Sequence, residues 1–487
     1  MATITEWIVK PDGRPIFWLH GMAGSGKTVL AHTVSKLCDD QGVLAASFFF
    51  YRGNIERSSS RRLFPTIAHQ LSSSIPGLRS LIDLAIYQNP SIPGKTIRNQ
   101  LKSLIIDPIF SLCHPLTLCR VIVIDALDEC NDKESARDII TLITMALHEY
   151  HLPLQFIITS RPENHIQNKL REPHIQTVTR IVNLRDFDAR NDIRIFLVDR
   201  FREIYQKHYD IMCDVQQPWP ARGVIERIVN ESSGLFIFAS TIVKFIDNPH
   251  EHPDRRLSIL LSGRYDANSS PHAGLDQLYT QILSMTPYSN NLRLVLGTII
   301  LVFSPLSLND LGHLLNLQIG DLRLALRGLY SVLIIPDKRH KPVRAFHKSL
   351  HDYLTNIQRS GPYFIDPAAH HAELAHMCFR LMTMELEHDM CKIADPLKLN
   401  TEVTDLTKKC KEHISGALRY ACCHWAGHLS RALYSDDLIK ELRLFVFEFI
   451  LYWIETLSLI SEFDASLQIR RVGKWLQVSY LIVLLLG

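Results

Sequence analysis

The chain has 487 residues, 46% hydrophobic and 21% charged, a globular composition long enough for roughly two to four domains. Lys plus Arg (53) nearly balance Asp plus Glu (50), leaving a formal charge of +3, without the basic excess that marks a nucleic-acid binder. No apolar run approaches the ~20 residues of a membrane helix, so no membrane span is expected. Met1–Trp7 lacks the basic and apolar regions of a signal peptide. The 10 cysteines are scattered and read as reduced thiols, which places the chain in the cytoplasm.

In chain order, Ile16–His20 is an apolar run that enters a glycine turn and then a helical stretch through Val29, Leu30, Val34 and Leu37. Ala45–Phe50 reads as the next strand. Leu63, Phe64, Ile67, Ala68 and Leu71 recur at helical spacing behind Ser58–Ser60, which can cap. Val121–Ile124 and Leu154–Ile158 are continuously apolar, as strands covered on both faces must be. The alternation predicts a doubly wound parallel sheet over about residues 14–185.

Beyond Asp186 the pattern is helical, through Ile193–Phe201, Val224–Val229 and Leu235–Ile246, with joints expected at Asn248–Arg256 and Ser262–His272. Val332–Ile335 and Val343–Phe346 are candidate strands of a small wing. Residues 365–478 read as all-helical, with Phe445–Ile460 a buried or amphipathic helix. The tail Tyr480–Gly487 is apolar but far too short to span a membrane.

Gly21-Met-Ala-Gly24-Ser25-Gly26-Lys27-Thr28 fits the phosphate-binding pattern G-x-x-x-x-G-K-[ST] at every defined position. Such a loop turns backbone N–H groups toward phosphates, and the helix behind it points its positive end at the same anion. Lys27 is expected on the β and γ phosphates and the Thr28 hydroxyl on Mg2+. Asp125 ends the apolar strand Val121–Ile124 and is the second expected magnesium ligand. Asp128 and Glu129 follow in the turn, where one of them can orient an attacking water. Arg161, after Phe156-Ile-Ile-Thr-Ser160, is placed to meet a γ-phosphate.

The segments WLHGMAGSGKT (18–28), AASFFFYRG (45–53), VIVIDALDEC (121–130) and FIITSRPE (156–163) together resemble the NACHT family of signal-transducing (STAND) NTPases. The likeness is to the fungal type with a nephrocystin-like NTPase that is often fused to WD repeats. It continues through Trp219-Pro220, Gly234–Ala239, Leu275–Tyr279, Ser304–Ser307, Phe346–Ser349 and Tyr420–Trp425. The resemblance implies an α/β fold: a P-loop NTPase with a parallel sheet, helical and winged-helix domains, and an all-helical C-terminal region. The corresponding boundaries are 1–185, 186–273, 274–360 and 361–487.

It also implies a nucleotide-dependent switch that binds ATP or GTP with Mg2+ and hydrolyses it slowly. Such a switch forms homo-oligomers on activation, works through an effector protein, and in fungi serves non-self recognition or programmed cell death. His347, within Phe346-His-Lys-Ser349, matches a winged-helix histidine that contacts the β-phosphate of a bound diphosphate. Gly234-Leu235-Phe236 matches a Gly-Leu-Pro turn that packs on the base, with phenylalanine in the proline's place. Only about fifteen residues precede the first strand, leaving no room there for an effector domain, and no repeat domain is expected after residue 478. Two other classes fit a P-loop: a nucleotide-binding scaffold without turnover, and a small-molecule kinase, which would need a substrate lid. His370, His371, His376, Cys378, Cys422, Cys423, His424 and His428 lack the paired spacing of a zinc site and read as packing residues. Cys130 is read the same way.

Overall fold

The structure is a computed structural model that describes residues 1–476 apart from 11, 53–54, 113–119, 250, 264–271, 287–289, 394–397, 471 and 474. The apolar tail at 480–487, and most of the joint expected at 262–272, lie outside the described residues. The chain divides into two compact units, Met1–Val243 and Lys244–Gly487, with the cut inside the helix Phe236–Ile246.

The first unit is built on a five-stranded sheet of order β2-β3-β4-β1-β5. Its strands are β1 (Ile16–His20), β2 (Leu44–Phe49), β3 (Arg120–Asp125), β4 (Leu154–Ser160) and β5 (Thr179–Asn183), and every pairing is parallel. Because successive side chains in a strand point to opposite faces, β3 serves two cores at once. Ile122 and Ile124 pack with Leu63, Phe64, Ile67 and Ile139, while Val121 and Val123 pack with Trp7, Ala31 and Val34. β1 divides in the same way, with Ile16 and Trp18 on the first face and Phe17 and Leu19 on the second. That double burial is why these strands read as unbroken apolar runs. β5 was not singled out as a strand, because Thr179-Arg-Ile-Val-Asn183 is an edge strand that is only half buried and carries polar residues.

The helix Leu63–Ser74 buries the five residues expected of it. The serines ahead of it do not cap: Ser60–Arg62 form a short 3-10 turn, and no side-chain cap bond is made at Ser59 or at Arg62. A second correction concerns Asn248–Arg256, whose last residues already belong to the helix Pro253–Ser262, with proline at its N-terminus. There the fixed proline φ favours a helix start over a linker.

The second unit is almost wholly helical. A small sheet pairs Leu333–Ile334 with Arg344–Ala345, antiparallel, where two wing strands were expected. The helices Pro367–Glu385 and Gly416–Leu429 form its packed centre, and Trp453 closes against them with its indole N–H on the Cys422 carbonyl at 2.8 Å. Phe445–Ile460 is amphipathic. A π-turn at Phe445–Phe449 leads into the helix Ile450–Leu459, with Phe445, Trp453 and Leu457 buried and Phe447 and Leu451 exposed. Among the described residues no helix is long and apolar enough to cross a membrane.

The histidines set aside above are part of this packing. His371 Nδ1 lies 2.8 Å from His428 Nδ1, and His428 Nε2 lies 2.7 Å from the Tyr420 hydroxyl. Phe303 packs against them, near-parallel to the His371 ring and tilted against His424 and His428, with the Arg431 guanidinium 4.5 Å from the Phe303 ring centroid. Burial, with the Arg431 charge adding to it, pushes His371 down to about 3. Burial likewise brings His424 to about 3 and His428 well below its ordinary value.

These imidazoles are neutral in the fold and free to bind protons once unfolded. Their contribution to stability is therefore complete above about pH 6.5 and is lost as pH falls from there toward 3. The slope is about 1.4 kcal/mol per pH unit for each histidine that remains neutral. Urea unfolding of the chain should show a clearly lower midpoint at pH 5 than at pH 7.5, and equal midpoints would mean that these rings accept protons without opening the fold.

Candidate nucleotide site

The site lies at the carboxyl edge of the sheet, where β1, β3 and β4 end and where ligands bind in open α/β folds. β3 is not beside β1: β4 lies between them, so the P-loop and the acidic turn meet across the end of β4. Gly21–Gly26 form the turn from β1 into the helix Lys27–Asp40. Gly24 and Gly26 have φ of 78° and 91°, a left-handed backbone that a side chain would strain. The helix has no acidic residue in its first turn and no side-chain cap, so its positive end carries no compensating group of its own. The Lys27 ammonium is buried and donates to the carbonyls of Gly21 and Met22, at 2.7 Å each.

Asp125, at the end of β3, is 1% exposed. Its Oδ1 accepts from the Thr159 hydroxyl at 2.5 Å, and the Thr28 hydroxyl also bonds its carboxylate. Burial raises its pKa, while the hydrogen bonds from Thr159 and Thr28 and the Lys27 charge work against that rise. Thr28 and Asp125, far apart in sequence, are therefore brought close enough for the hydroxyl to favour the ionised carboxylate. A carboxylate and a hydroxyl are hard oxygen donors, and one or two such groups completed by phosphates and water suit Mg2+. Among the described residues no three His, Cys, Asp or Glu side chains converge as a protein-only metal cage.

The two carboxylates after Asp125 differ. Asp128 is 4% exposed, with Oδ1 accepting from the Arg161 backbone N–H at 3.0 Å and Oδ2 3.4 Å from Arg161 Nε. Glu129 is less buried, and its Oε2 accepts from the Arg52 backbone N–H at 2.9 Å. Arg52 also donates a guanidinium N–H to the Asp128 carbonyl at 3.2 Å. Burial pushes the Cys130 thiol up, away from the reactive thiolate.

Gly21, Gly24, Ser25, Gly26, Lys27, Thr28, Asp125, Asp128, Glu129 and Arg161 thus belong to one edge of the first unit. The turn at Gly234–Phe236 joins them, for the Ile237 N–H donates to the Gly24 carbonyl at 3.3 Å and the Phe236 ring lies over Gly26. His347 belongs to the second unit. It caps the helix Lys348–Leu354, with Nδ1 accepting from the Ser349 N–H at 3.1 Å. The Ser349 hydroxyl is 2.7 Å from that nitrogen and 2.7 Å from the Tyr279 hydroxyl.

Thr159 and Arg52 carried no assigned role in the sequence. The signal for Thr159 was its place at the end of β4, whose register sets Ile158 against Ile124 and so brings Thr159 to Asp125. Arg52 follows β2 by a few residues, within the segment AASFFFYRG, which marks the family likeness and gives the arginine no role.

The family profile described as nephrocystin 3, N-terminal, matches residues 1–161. A comparison with curated proteins finds none that matches the sequence. Among solved structures, a signal transduction ATPase with numerous domains and a tetratricopeptide repeat sensor, from Pyrococcus horikoshii, is 12% identical with a TM-score of 0.40. The alignment covers 99% of this chain and 64% of that one, so this chain spans under two thirds of the archaeal protein's length. A Cdc6 protein from Pyrobaculum aerophilum is 14% identical over 74% of this chain and 83% of its own, with a TM-score of 0.30. Likeness at this level carries no information about activity. By this profile match, residues 1–161 are similar to the nephrocystin 3 N-terminal family, a NACHT-like NTPase domain.

Proposed function

We propose that the chain is a nucleotide-dependent signalling switch that binds ATP or GTP with Mg2+ and hydrolyses it slowly. The observation that carries this reading is the approach of Thr28 to Asp125 beside the buried Lys27 ammonium. A hydroxyl, a carboxylate and a cation gathered at a glycine loop are what a magnesium–triphosphate complex requires. In this reading Mg2+ neutralises charge on the β and γ phosphates. Gly21, Gly24, Ser25 and Gly26 shape the loop around them, and Lys27 turns from the loop carbonyls to phosphate oxygens.

Asp128 and Arg161 act as a unit. The carboxylate holds the arginine by backbone and side chain, so Asp128 positions Arg161 toward a γ-phosphate and Glu129 is the better placed of the two acids to orient water. The boundaries 1–185, 186–273, 274–360 and 361–487 complete the proposal, with the last three segments as helical, winged-helix and C-terminal helical parts. Homo-oligomers on activation, an effector protein and a role in fungal non-self recognition or cell death rest on the family resemblance alone, and location in the cytoplasm rests on the scattered cysteines read as reduced thiols. The near-neutral charge supports a switch that does not work through nucleic acid.

Lys27→Ala removes an ammonium expected to meet two phosphates. At about 1.5–3 kcal/mol for each charge-assisted bond, ATP affinity should fall roughly a hundredfold or more. Calorimetric titration of both proteins with ATP in Mg2+ measures this, and equal affinities would remove the P-loop assignment.

Glu129→Gln should leave ATP binding nearly intact and stop phosphate release, because Asp125 and Thr28 remain while the base is lost. Asp128→Asn should slow release less and disturb the Arg161 side chain instead. A Glu129→Gln protein that turns over like wild type would show that Glu129 is not the base, and a wild type that binds without ever releasing phosphate would be a scaffold.

His347 already spends Nδ1 on its helix cap, so any phosphate contact would go through Nε2. If that contact exists, His347→Ala should weaken ADP by roughly ten- to a hundredfold and ATP much less, the size of one charge-assisted bond. Equal losses for the two nucleotides would leave His347 a capping residue only.

A further inference from the structure

The buried Thr159 hydroxyl is the least explained polar group at the site. Thr159 is fully buried and lies one residue before the end of β4. Its single hydroxyl makes two bonds of opposite sense. Asp125 Oδ1, 2.5 Å away, is a carboxylate oxygen that accepts and cannot donate when ionised, so the hydroxyl proton lies on that line. The Ala126 N–H, 3.0 Å away, is a donor, so the hydroxyl oxygen accepts from it. The one proton Thr159 has is thereby committed to the carboxylate.

Both partners need holding. A carboxylate on an aspartate side chain rotates readily about its last torsion, where rotamers are broad. Ala126 has φ of 56°, a left-handed conformation that is uncommon for a residue with a side chain and persists where its surroundings hold it. That residue opens the turn Leu127–Glu129, which delivers both later acids. Threonine suits the task because branching at Cβ restricts the torsion that aims the hydroxyl. The next residue is also fixed, since the Ser160 hydroxyl accepts from the Trp18 indole at 2.8 Å and donates to the Arg161 carbonyl at 2.9 Å.

We propose that Thr159 is a positioning residue that orients the Asp125 carboxylate, together with the turn that follows it, for the magnesium of a bound nucleotide. The proposal rests on the reading of Thr28 and Asp125 as magnesium ligands. Thr159 acts through Asp125, so its effect is confined to the part of nucleotide affinity that magnesium supplies. Partners that orient a metal ligand in this way typically contribute about 10- to 100-fold in metal affinity.

The test compares wild type, Thr159→Val and Thr159→Ser as full chains, each titrated with ATP in Mg2+ and again in EDTA. Melting temperatures are recorded for all three. Thr159→Val, nearly isosteric but without the hydroxyl, should lose about 10- to 100-fold of ATP affinity in Mg2+ and keep its EDTA affinity. Thr159→Ser should restore the Mg2+ value. Equal affinities of wild type and Thr159→Val in Mg2+ would overturn the proposal, as would an equal loss with and without Mg2+, the mark of a merely structural hydroxyl. If Thr159→Val does not fold, Thr159→Ala, which adds no bulk, carries the same comparison. A wild-type protein whose ATP affinity is the same in Mg2+ and EDTA would instead remove the magnesium site itself, and the proposal with it.

Discussion

The burial of one carboxylate organises the first unit. β3 runs inside the sheet, between β2 and β4, with Val121–Ile124 covered on both faces, and it ends in an aspartate that is 1% exposed. An ionised carboxylate removed from water is costly unless hydrogen bonds and charge replace its hydration. The neighbouring elements supply both. β4 contributes the Thr159 hydroxyl, the helix after the P-loop contributes the Thr28 hydroxyl, and Lys27 contributes a positive charge. The same groups that make Asp125 tolerable in the fold are those a magnesium–nucleotide site uses. In the proposed function, stability and binding therefore draw on one set of contacts.

The acids behind Asp125 show how a short turn separates roles by environment. Asp128 faces inward and is held by the Arg161 backbone and side chain. A buried acid of this kind is costly to leave unpaired, which ties the arginine in place. Glu129, one residue further, turns toward the segment after β2, where the Arg52 N–H meets it. That segment is joined to the acidic turn again by the Phe50 N–H on the Asp125 carbonyl and by the Asn131 N–H on the Ser58 carbonyl.

The second unit solves a different problem, the packing of polar aromatics inside a helical core. His371, His424 and His428 are buried around Phe303. They stay neutral, because a charged imidazole there would have neither water nor an anion beside it. Cysteines are used there in the same passive way. Cys378 and Cys422 are buried among the same helices, and burial pushes both thiols up.

By itself the sequence determined the classes of element and the place of the glycine loop between the first strand and its helix. Unbroken apolar runs mark strands covered on both faces, and Leu63, Phe64, Ile67, Ala68 and Leu71 mark one helix face, because period and burial are local properties. The glycine turn between β1 and the helix that begins at Lys27 was legible because the phosphate-loop pattern fixes residue types at that spacing. The half-buried edge strand β5 was not singled out, since an edge with one open face tolerates the polar residues that hide it. The capping serines were misread because a 3-10 turn intervenes, and hydrogen-bond competition there is settled by the surrounding chain. Only the tertiary structure decided that β4 stands between β1 and β3, and hence that Thr159, and not a neighbour in sequence, holds Asp125. Only it separated Asp128 from Glu129, two adjacent acids with the same local preferences. Hydrogen-bond partners across a sheet edge depend on strand order and register, and no local pattern in the chain records them.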